Sequence, residues 1–187
     1  MPLPTLATAR LVLRPFTLSD APDVMRMAGA PEVARTTLLI PHPYEPGMAE
    51  SWIGSHPSSF VLREQVNFAI VLREPGTLCG AIALALSERD RNAELGYWIG
   101  RDYWGRGICT EAAREVVRYS FEELKLHRVY AGHFASNPAS GRVLERVGMQ
   151  REGCLRQHHI KCGEYEDRIE FGMLADEWRG FKASVSF

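Results

Sequence analysis

The sequence has few cysteines, and none of them lies in a recognisable motif. The four that occur lack both the C-x-x-C spacing of a redox pair and the close Cys/His grouping of a zinc site. They are Cys79, Cys109, Cys154 and Cys162. Two adjacent histidines, His158 and His159, stand near the last of these, but consecutive residues of a strand point to opposite faces. We therefore predict free thiols and no metal site.

An excess of charge of either sign is also missing, as is a long apolar run. Lys and Arg total 22 against 23 Asp and Glu, which leaves a formal net charge of -1 and no basic surface for a phosphate polymer. Charged residues, among them Arg10, Arg14 and Asp20, interrupt the first thirty residues, so we predict no secretion signal and no membrane span. These absences predict a cytoplasmic protein that binds neither nucleic acid nor a membrane.

The periodicity of apolar residues predicts the order β-α-α-β-β-β-α-β-α-β-β. The predicted strands are 10–16, 66–73, 78–86, 93–99, 128–134, 152–160 and 164–174, and the predicted helices are 19–29, 48–56, 110–125 and 138–147. A chain of 187 residues suits a single domain, predicted here to cover residues 1–187. The mixed order predicts an α/β (α+β) fold around one largely antiparallel sheet, with a strand-helix-strand crossover in its middle.

A glycine turn, Gly105-Arg106-Gly107, separates a predicted strand from the helix that follows. Glycine has no Cβ, so both glycines are free to take positive φ and let a ligand approach the backbone, while amides at the helix start stay unpaired. Such amides favour an anion. The NTPase loop is excluded because the sequence has no Gly-Lys pair, and the dinucleotide motif fails because Thr110 replaces its third glycine. From these residues alone, a tight turn without a ligand remains open.

Four segments carry a resemblance to a known family. They are Leu6-Ala-Thr-Ala-Arg-Leu-Val-Leu-Arg14, Ala93-Glu-Leu-Gly-Tyr-Trp98, Tyr103-Trp-Gly-Arg-Gly-Ile-Cys-Thr-Glu-Ala112 and Asn137-Pro-Ala-Ser-Gly-Arg-Val-Leu-Glu-Arg-Val-Gly148. The sequence resembles the GNAT superfamily of acetyltransferases, and within it the ribosomal-protein N-terminal acetyltransferases of the RimJ/RimL type. The resemblance extends from about residue 6 to Trp178. It implies a GNAT-like fold in which a mixed sheet of about seven strands is flanked by about four helices, with a domain core over residues 6–178.

The resemblance also implies acetyl-CoA as co-substrate, with its diphosphate on the glycine turn and its pantetheine arm between strands 93–99 and 128–134. The implied cofactor-binding residues are Trp98, Ile99, Gly105, Arg106, Gly107, Ile108, Cys109, Thr110, Asn137 and Ser140. The superfamily pattern Q/R-x-x-G-x-G/A places Gly107 at its central glycine, and Trp104 and Cys109 both depart from it. An Asn at position 137 can donate to and accept from the pantetheine amides, and it also suits a helix cap before Pro138.

Three groups are candidates for the chemistry of acetyl transfer. Glu94 matches a strand position at which some superfamily members place a general base, and Ser140 resembles the hydroxyl that family members place near the cofactor sulfur. A backbone N-H near Trp98 or Ile99 is the candidate for stabilising the oxyanion. A surface carboxylate and an early-helix serine are the structural alternatives for the two side chains.

The energetics of amine deprotonation favour an α-amine as the acceptor. Neutralising a lysine at pH 7 costs roughly 4.6 kcal/mol, whereas an α-amine costs about 1.1 kcal/mol. We therefore expect the acceptor to be the N-terminal α-amine of a protein, and the resemblance implies a ribosomal protein. Small amines and polyamines remain open as acceptors. A non-catalytic acyl-CoA sensor and an enzyme using another acyl-CoA also remain open, as do a monomer and a homodimer. The loop 38–47 and the hairpin around Tyr165 and Asp167 are expected to line the acceptor pocket.

Overall fold

The computed structural model describes residues 3–184, apart from the side chain of Ser184. The strands are β1 (Leu6–Ala7), β2 (Leu11–Arg14), β3 (Gln65–Leu72), β4 (Leu78–Ser87), β5 (Asn92–Ile99), β6 (Arg128–Phe134), β7 (Gln150–Lys161) and β8 (Glu164–Leu174). The helices are α1 (Ala21–Ala28), α2 (Pro31–Arg35), α3 (Met48–Val61), α4 (Ile108–Glu122), α5 (Pro138–Val147) and α6 (Ala175–Ser184). Residues 1, 2 and 185–187 of the predicted domain lie outside the described residues.

The strands form one eight-stranded sheet in the order β1-β2-β3-β4-β5-β6-β8-β7. Six of the seven neighbouring pairs are antiparallel, and the pair β5–β6, which α4 connects, is parallel. A parallel pair requires a crossover, and α4 supplies it. The predicted mixed, mostly antiparallel sheet with a central crossover is therefore confirmed.

Apolar residues on both faces of the sheet place helices on both sides. On one side Ala93 and Leu95 of β5 pack in a cluster with Ala112 and Val116 of α4. On the other side α1 and α3 cover a second cluster that includes Ala69. Because successive strand residues point to opposite faces, each residue of β5 is assigned to one side or the other.

Three differences from the predicted elements have local causes. The short β1 and the five-residue α2 are too brief to show a period. Together with α6 they raise the observed totals to eight strands and six helices. Helix α3 continues past Pro57 to Val61 instead of ending before the proline, with Phe60 packed against the core. Helix α6 buries Trp178, whose ring stacks on Phe121 with centroids 6.0 Å apart.

The two adjacent histidines do not follow strict strand alternation. The β7–β8 register shifts between Leu155 and His159, and Gln157 has a φ of 50°. The rings of His158 and His159 are consequently 4.6 Å apart instead of on opposite faces. Alternation fails here because it assumes an unbroken ladder.

None of the helices found between residues 3 and 184 has the length and apolar character that crossing a bilayer requires.

Candidate functional site

The glycine turn and the first turn of α4 form a group of backbone amides. Gly105 and Gly107 have φ of 73° and 74°, as the sequence predicts. The amide of Glu111 donates to the Gly107 carbonyl at 3.0 Å, which makes it the first helical donor. No hydrogen bond found within residues 3–184 has an amide of residues 105–110 as its donor. The start of α4 therefore presents unpaired donors, together with the positive end of its dipole.

The two residues that depart from the family pattern have clear structural positions. The indole Nε1 of Trp104 donates to the Ile99 carbonyl at 2.7 Å and so ties the glycine turn to the end of β5. The side chain of Cys109 packs against the main core, and burial raises the pKa of its thiol far above the ordinary value. Cys109 is therefore a neutral side chain that packs against the core.

Beside the glycine turn, the hydrogen-bonded pairing of β5 and β6 ends early. Their parallel pairing covers only Asn92–Glu94 on β5 and Arg128–Tyr130 on β6. The β5–β6 gap is the space between residues 95–99 and 131–134. The Gly100 N-H donates to the carbonyl of Cys79 in β4 at 2.8 Å, and amides along a strand alternate in direction. The Ile99 N-H therefore faces the β5–β6 gap and the Trp98 N-H faces β4, which favours Ile99 over Trp98 as an oxyanion donor.

Tyr97 on β5 contacts the first turn of α5, a contact that the sequence did not indicate. Its hydroxyl lies 2.8 Å from the Ser140 hydroxyl and 3.2 Å from the Ser140 carbonyl oxygen. Burial raises the pKa of Tyr97 far above its ordinary value, so the phenol stays protonated. Asn137 caps α5, because its Oδ1 accepts from the Ser140 N-H at 3.4 Å. The cap uses only the Oδ1 of Asn137 and leaves its side-chain NH2 group for another partner.

On the other face of β5, Glu94 belongs to a charged group with Arg168 and Glu170 of β8. The Arg168 Nη2 donates to Glu94 Oε1 at 2.5 Å, and its Nε donates to Glu170. A methyl group added to Gly132 would overlap the Arg168 guanidinium, so the absence of a side chain at that position makes room for the ion pair. Glu94 is thus held at the last paired position before the β5–β6 gap, with its side chain 37% exposed.

The loop 38–47, called the Pro-rich loop below, and the β7–β8 hairpin were both expected to line the acceptor pocket, and they contact one another. The ammonium group of Lys161 donates to the carbonyls of Leu38 and Ile40 at 3.2 and 2.7 Å. Burial lowers the pKa of Lys161. Tyr165 is exposed near the hairpin tip, whereas Asp167 accepts from the Gln157 N-H at 2.7 Å inside the hairpin. Asp167 therefore supports the irregular part of β7.

A shallow cavity of about 530 Å³ opens between α1 and the Pro-rich loop. Its lining includes Met25, Arg26, His42 and Tyr44.

Over the part of the chain that the structure describes, no three His, Cys, Asp or Glu side chains are grouped so as to hold a metal ion. The polar groups of the site are backbone amides, hydroxyls, the side-chain amide of Asn137 and one ion-paired carboxylate.

The parallel pairing of the mixed sheet ends early at β5 and β6, beside a helix with unpaired N-terminal amides, and comparison with known families assigns a class to this arrangement. The sequence profile of the family described as "Acetyltransferase (GNAT) domain" matches residues 10–150. The chain belongs to this GNAT acetyltransferase family.

Relatives and solved structures agree with this assignment. The N-acetyltransferase YoaA of Bacillus subtilis, named as uncharacterized, is 34% identical over 172 residues, which cover 91% of this chain and 97% of that protein. YdaF of Bacillus subtilis, provisionally named a ribosomal N-acetyltransferase, is 41% identical over 108 residues. That match covers 57% of this chain and only 59% of YdaF.

The structure of RimL, described as a ribosomal L7/L12 alpha-N-protein acetyltransferase in complex with coenzyme A, has the same fold. Its TM-score is 0.83 at 17% identity, and the match covers 91% of this chain and 97% of that chain.

Proposed function

We propose that this chain transfers an acetyl group from acetyl-CoA to the N-terminal α-amine of a protein, with a ribosomal protein as the expected acceptor. The observation that carries the proposal is the group of unpaired amides at the start of α4, directly beside the β5–β6 gap. The names of YdaF and RimL support the choice of acceptor. We also propose that residues 6–178 form the core of one acetyltransferase domain.

The binding step uses the backbone more than side chains. The diphosphate accepts hydrogen bonds from the glycine turn and the α4 start, where the helix dipole contributes about 0.3 to 1 kcal/mol per charge. The proposed contacts are Gly105, Arg106, Gly107, Ile108, Cys109 and Thr110. The pantetheine arm lies in the β5–β6 gap, where the side-chain NH2 of Asn137 donates to one of its amide carbonyls.

The transfer step forms the amide C-N bond and breaks the thioester C-S bond. Glu94 takes a proton from the ammonium form of the acceptor, and the neutral amine attacks the thioester carbonyl. The Ile99 N-H stabilises the developing oxyanion. The Ser140 hydroxyl, held by Tyr97, delivers a proton to the departing thiolate and recovers one from solvent. The attacking nitrogen loses its second proton to solvent as the amide forms. Arg168 occupies one oxygen of Glu94 and leaves Oε2 without a partner within residues 3–184, which supports a role in proton transfer.

The acceptor proposal follows from the cost of making a neutral amine. An α-amine near pKa 7.8 costs about 1.1 kcal/mol to neutralise at pH 7, against roughly 4.6 kcal/mol for a lysine. Glu94 is the one carboxylate proposed as a general base, and one oxygen of it is already bonded to Arg168. It suits the amine that needs less assistance.

A substrate panel tests the proposal. Purified protein is mixed with acetyl-CoA and three acceptors: a peptide with a free N-terminus, the same peptide blocked at the N-terminus but carrying lysine, and spermidine. Thiol release is measured and the products are identified by mass spectrometry. We expect turnover with the free N-terminus. Turnover with spermidine alone would overturn the acceptor assignment, and tight acetyl-CoA binding without turnover on any amine would favour a sensor.

A further inference from the structure

The segment Thr8-Ala-Arg10, one of the four that carry the family resemblance, contacts α4 at its first turn. The Glu111 Oε1 accepts from the Thr8 hydroxyl at 2.5 Å and from the Arg10 N-H at 2.9 Å. The Arg10 Nε donates to Glu111 Oε2 at 2.7 Å. We call Thr8, Arg10 and Glu111 the N-terminal clamp. It joins residues that are 101 to 103 positions apart in the sequence.

Arg10 also reaches the glycine turn itself. Its Nη1 donates to the Arg106 carbonyl at 3.1 Å. A methyl group added to Gly107 would lie 3.5 Å from Arg10 Nη2, so this third nitrogen is adjacent to the turn. One guanidinium therefore contacts both the carbonyl between the two glycines and the carboxylate of the following helix turn.

The charge of Glu111 would otherwise oppose an anion at this position. Burial raises the pKa of Glu111, but hydrogen bonds from Thr8 and Arg10 outweigh burial and hold the pKa below its ordinary value. The side chain is therefore a carboxylate one helical turn from the unpaired amides, where it would repel a diphosphate. Arg10 neutralises this charge at a distance of 2.7 Å.

We propose that Arg10 is a positioning residue for the diphosphate: it fixes the glycine turn through the Arg106 carbonyl and cancels the Glu111 charge beside the α4 amides. This inference rests on the proposed acetyl-CoA function. Arg10 is half-exposed, and an ion pair at that exposure adds little to folding stability. Its principal effect is therefore on the local shape and potential of the turn.

The test compares two acetyl donors on the variants Arg10→Gln, Glu111→Gln and the double variant. Acetyl-CoA carries the diphosphate, whereas S-acetylpantetheine carries the same thioester without it. Arg10→Gln should raise the Kd and KM for acetyl-CoA about tenfold, the size of a lost charge-assisted hydrogen bond. Its KM for S-acetylpantetheine should stay within twofold of the wild-type value. The double variant should bind acetyl-CoA more tightly than Arg10→Gln, because the repelling carboxylate is gone.

A matched control lies further along the same helix. The Arg118 guanidinium pairs with Glu115 of α4 at 2.7 Å, and Arg118→Gln removes that pair without touching the glycine turn. Arg118→Gln should leave the KM for acetyl-CoA and the KM for S-acetylpantetheine unchanged. Unchanged acetyl-CoA affinity in Arg10→Gln, or an equal loss for both donors, would overturn the positioning role. Failure of the wild-type protein to bind acetyl-CoA would instead reject the proposed function.

Discussion

Glu94 is the residue on which the proposed proton transfer depends. The variant Glu94→Gln keeps the shape of the side chain and loses its ability to accept a proton. We expect kcat at neutral pH to fall about a hundredfold, within the usual range for losing a general base, while the Kd for acetyl-CoA changes little. Steady-state kinetics and calorimetry measure the two quantities.

Glu170→Gln is the matched control for Glu94, since both carboxylates pair with Arg168. Glu94 lies on β5, which borders the β5–β6 gap, whereas Glu170 lies on β8, on the far side of β6. An equal loss of turnover in both variants would show that the effect passes through Arg168. Unchanged turnover in Glu94→Gln would remove Glu94 from the mechanism.

Tyr97 has a positioning role if Ser140 protonates the thiolate. In Tyr97→Phe the Ser140 hydroxyl loses its partner at 2.8 Å, so we expect kcat to fall about tenfold with little change in the KM for acetyl-CoA. Tyr119→Phe removes another buried phenol, one whose ring packs on Phe68, and should leave kcat unchanged. Similar effects of the two substitutions would contradict a specific role for Tyr97.

His56 couples stability to pH. Its ring lies 4.5 Å from Trp52 and 5.4 Å from Phe16, and burial lowers its pKa to about 4. Because the folded state holds His56 neutral, its contribution is complete above the unfolded pKa of about 6.5 and is lost as the pH falls toward 4. The loss is on the order of 2 kcal/mol after allowance for partial solvent screening.

Urea unfolding at pH 7 and pH 4.5 measures this coupling. The variant His56→Phe keeps an aromatic ring but cannot take up a proton. It should therefore lose less stability over this interval than the wild-type protein. An identical pH dependence in both proteins would show that other groups control acid sensitivity.

At the scale of the element, the glycine turn should be sensitive to substitution for two separable reasons. A side chain at a φ of 74° is strained, and at Gly107 it also enters the proposed diphosphate site. Gly107→Val should therefore abolish measurable acetyl-CoA binding. Gly76→Val, in the β3–β4 hairpin at a φ of 86°, carries similar strain away from the site and should keep cofactor affinity. Normal binding by Gly107→Val would contradict the location of the diphosphate.

The sequence predicts an element accurately where residues typical of a start and of an end stand at both of its boundaries. The proline at the start of α5 and Gly148 at its end, with a φ of 93°, match the predicted bounds 138–147. The start of α4 was predicted two residues late, because Ile108 and Cys109 continue the glycine turn in sequence but already have helical geometry. The end of α3 was predicted early because Pro57 outweighed the apolar residues after it.

The contacts between distant residues had no local signal. Ser140 and Glu94 were selected as individual residues, but their partners Tyr97 and Arg168 lie 43 and 74 positions away. Strand alternation predicts that Tyr97 and Glu94 face opposite sides of the sheet. It does not predict which helix or strand each side chain meets, because that depends on how the strands are ordered in the sheet.

At the scale of the whole molecule, Lys161 links the two segments proposed to line the acceptor pocket. Lys161→Met keeps most of the side-chain volume and removes the donors to Leu38 and Ile40. We expect the KM for the acceptor peptide to rise about threefold to tenfold, the range for one or two lost hydrogen bonds, while the KM for acetyl-CoA is unchanged.

Lys182→Met, which removes an ion pair with Glu122 between α6 and α4, is the matched control for Lys161. It should change neither Michaelis constant. An unchanged acceptor KM in Lys161→Met would place the acceptor elsewhere on the molecule.

The early end of the β5–β6 ladder has a mechanical consequence. Strands β1–β5 and β6–β8 are bonded to each other along only three residue pairs, so the sheet consists of two strand groups joined at a narrow seam. A molecule bound between the two strand groups would connect them by hydrogen bonds where the backbone pairing is missing. Occupancy would then raise the free energy of unfolding in proportion to the logarithm of ligand concentration, and the empty protein would be the more easily deformed along this seam.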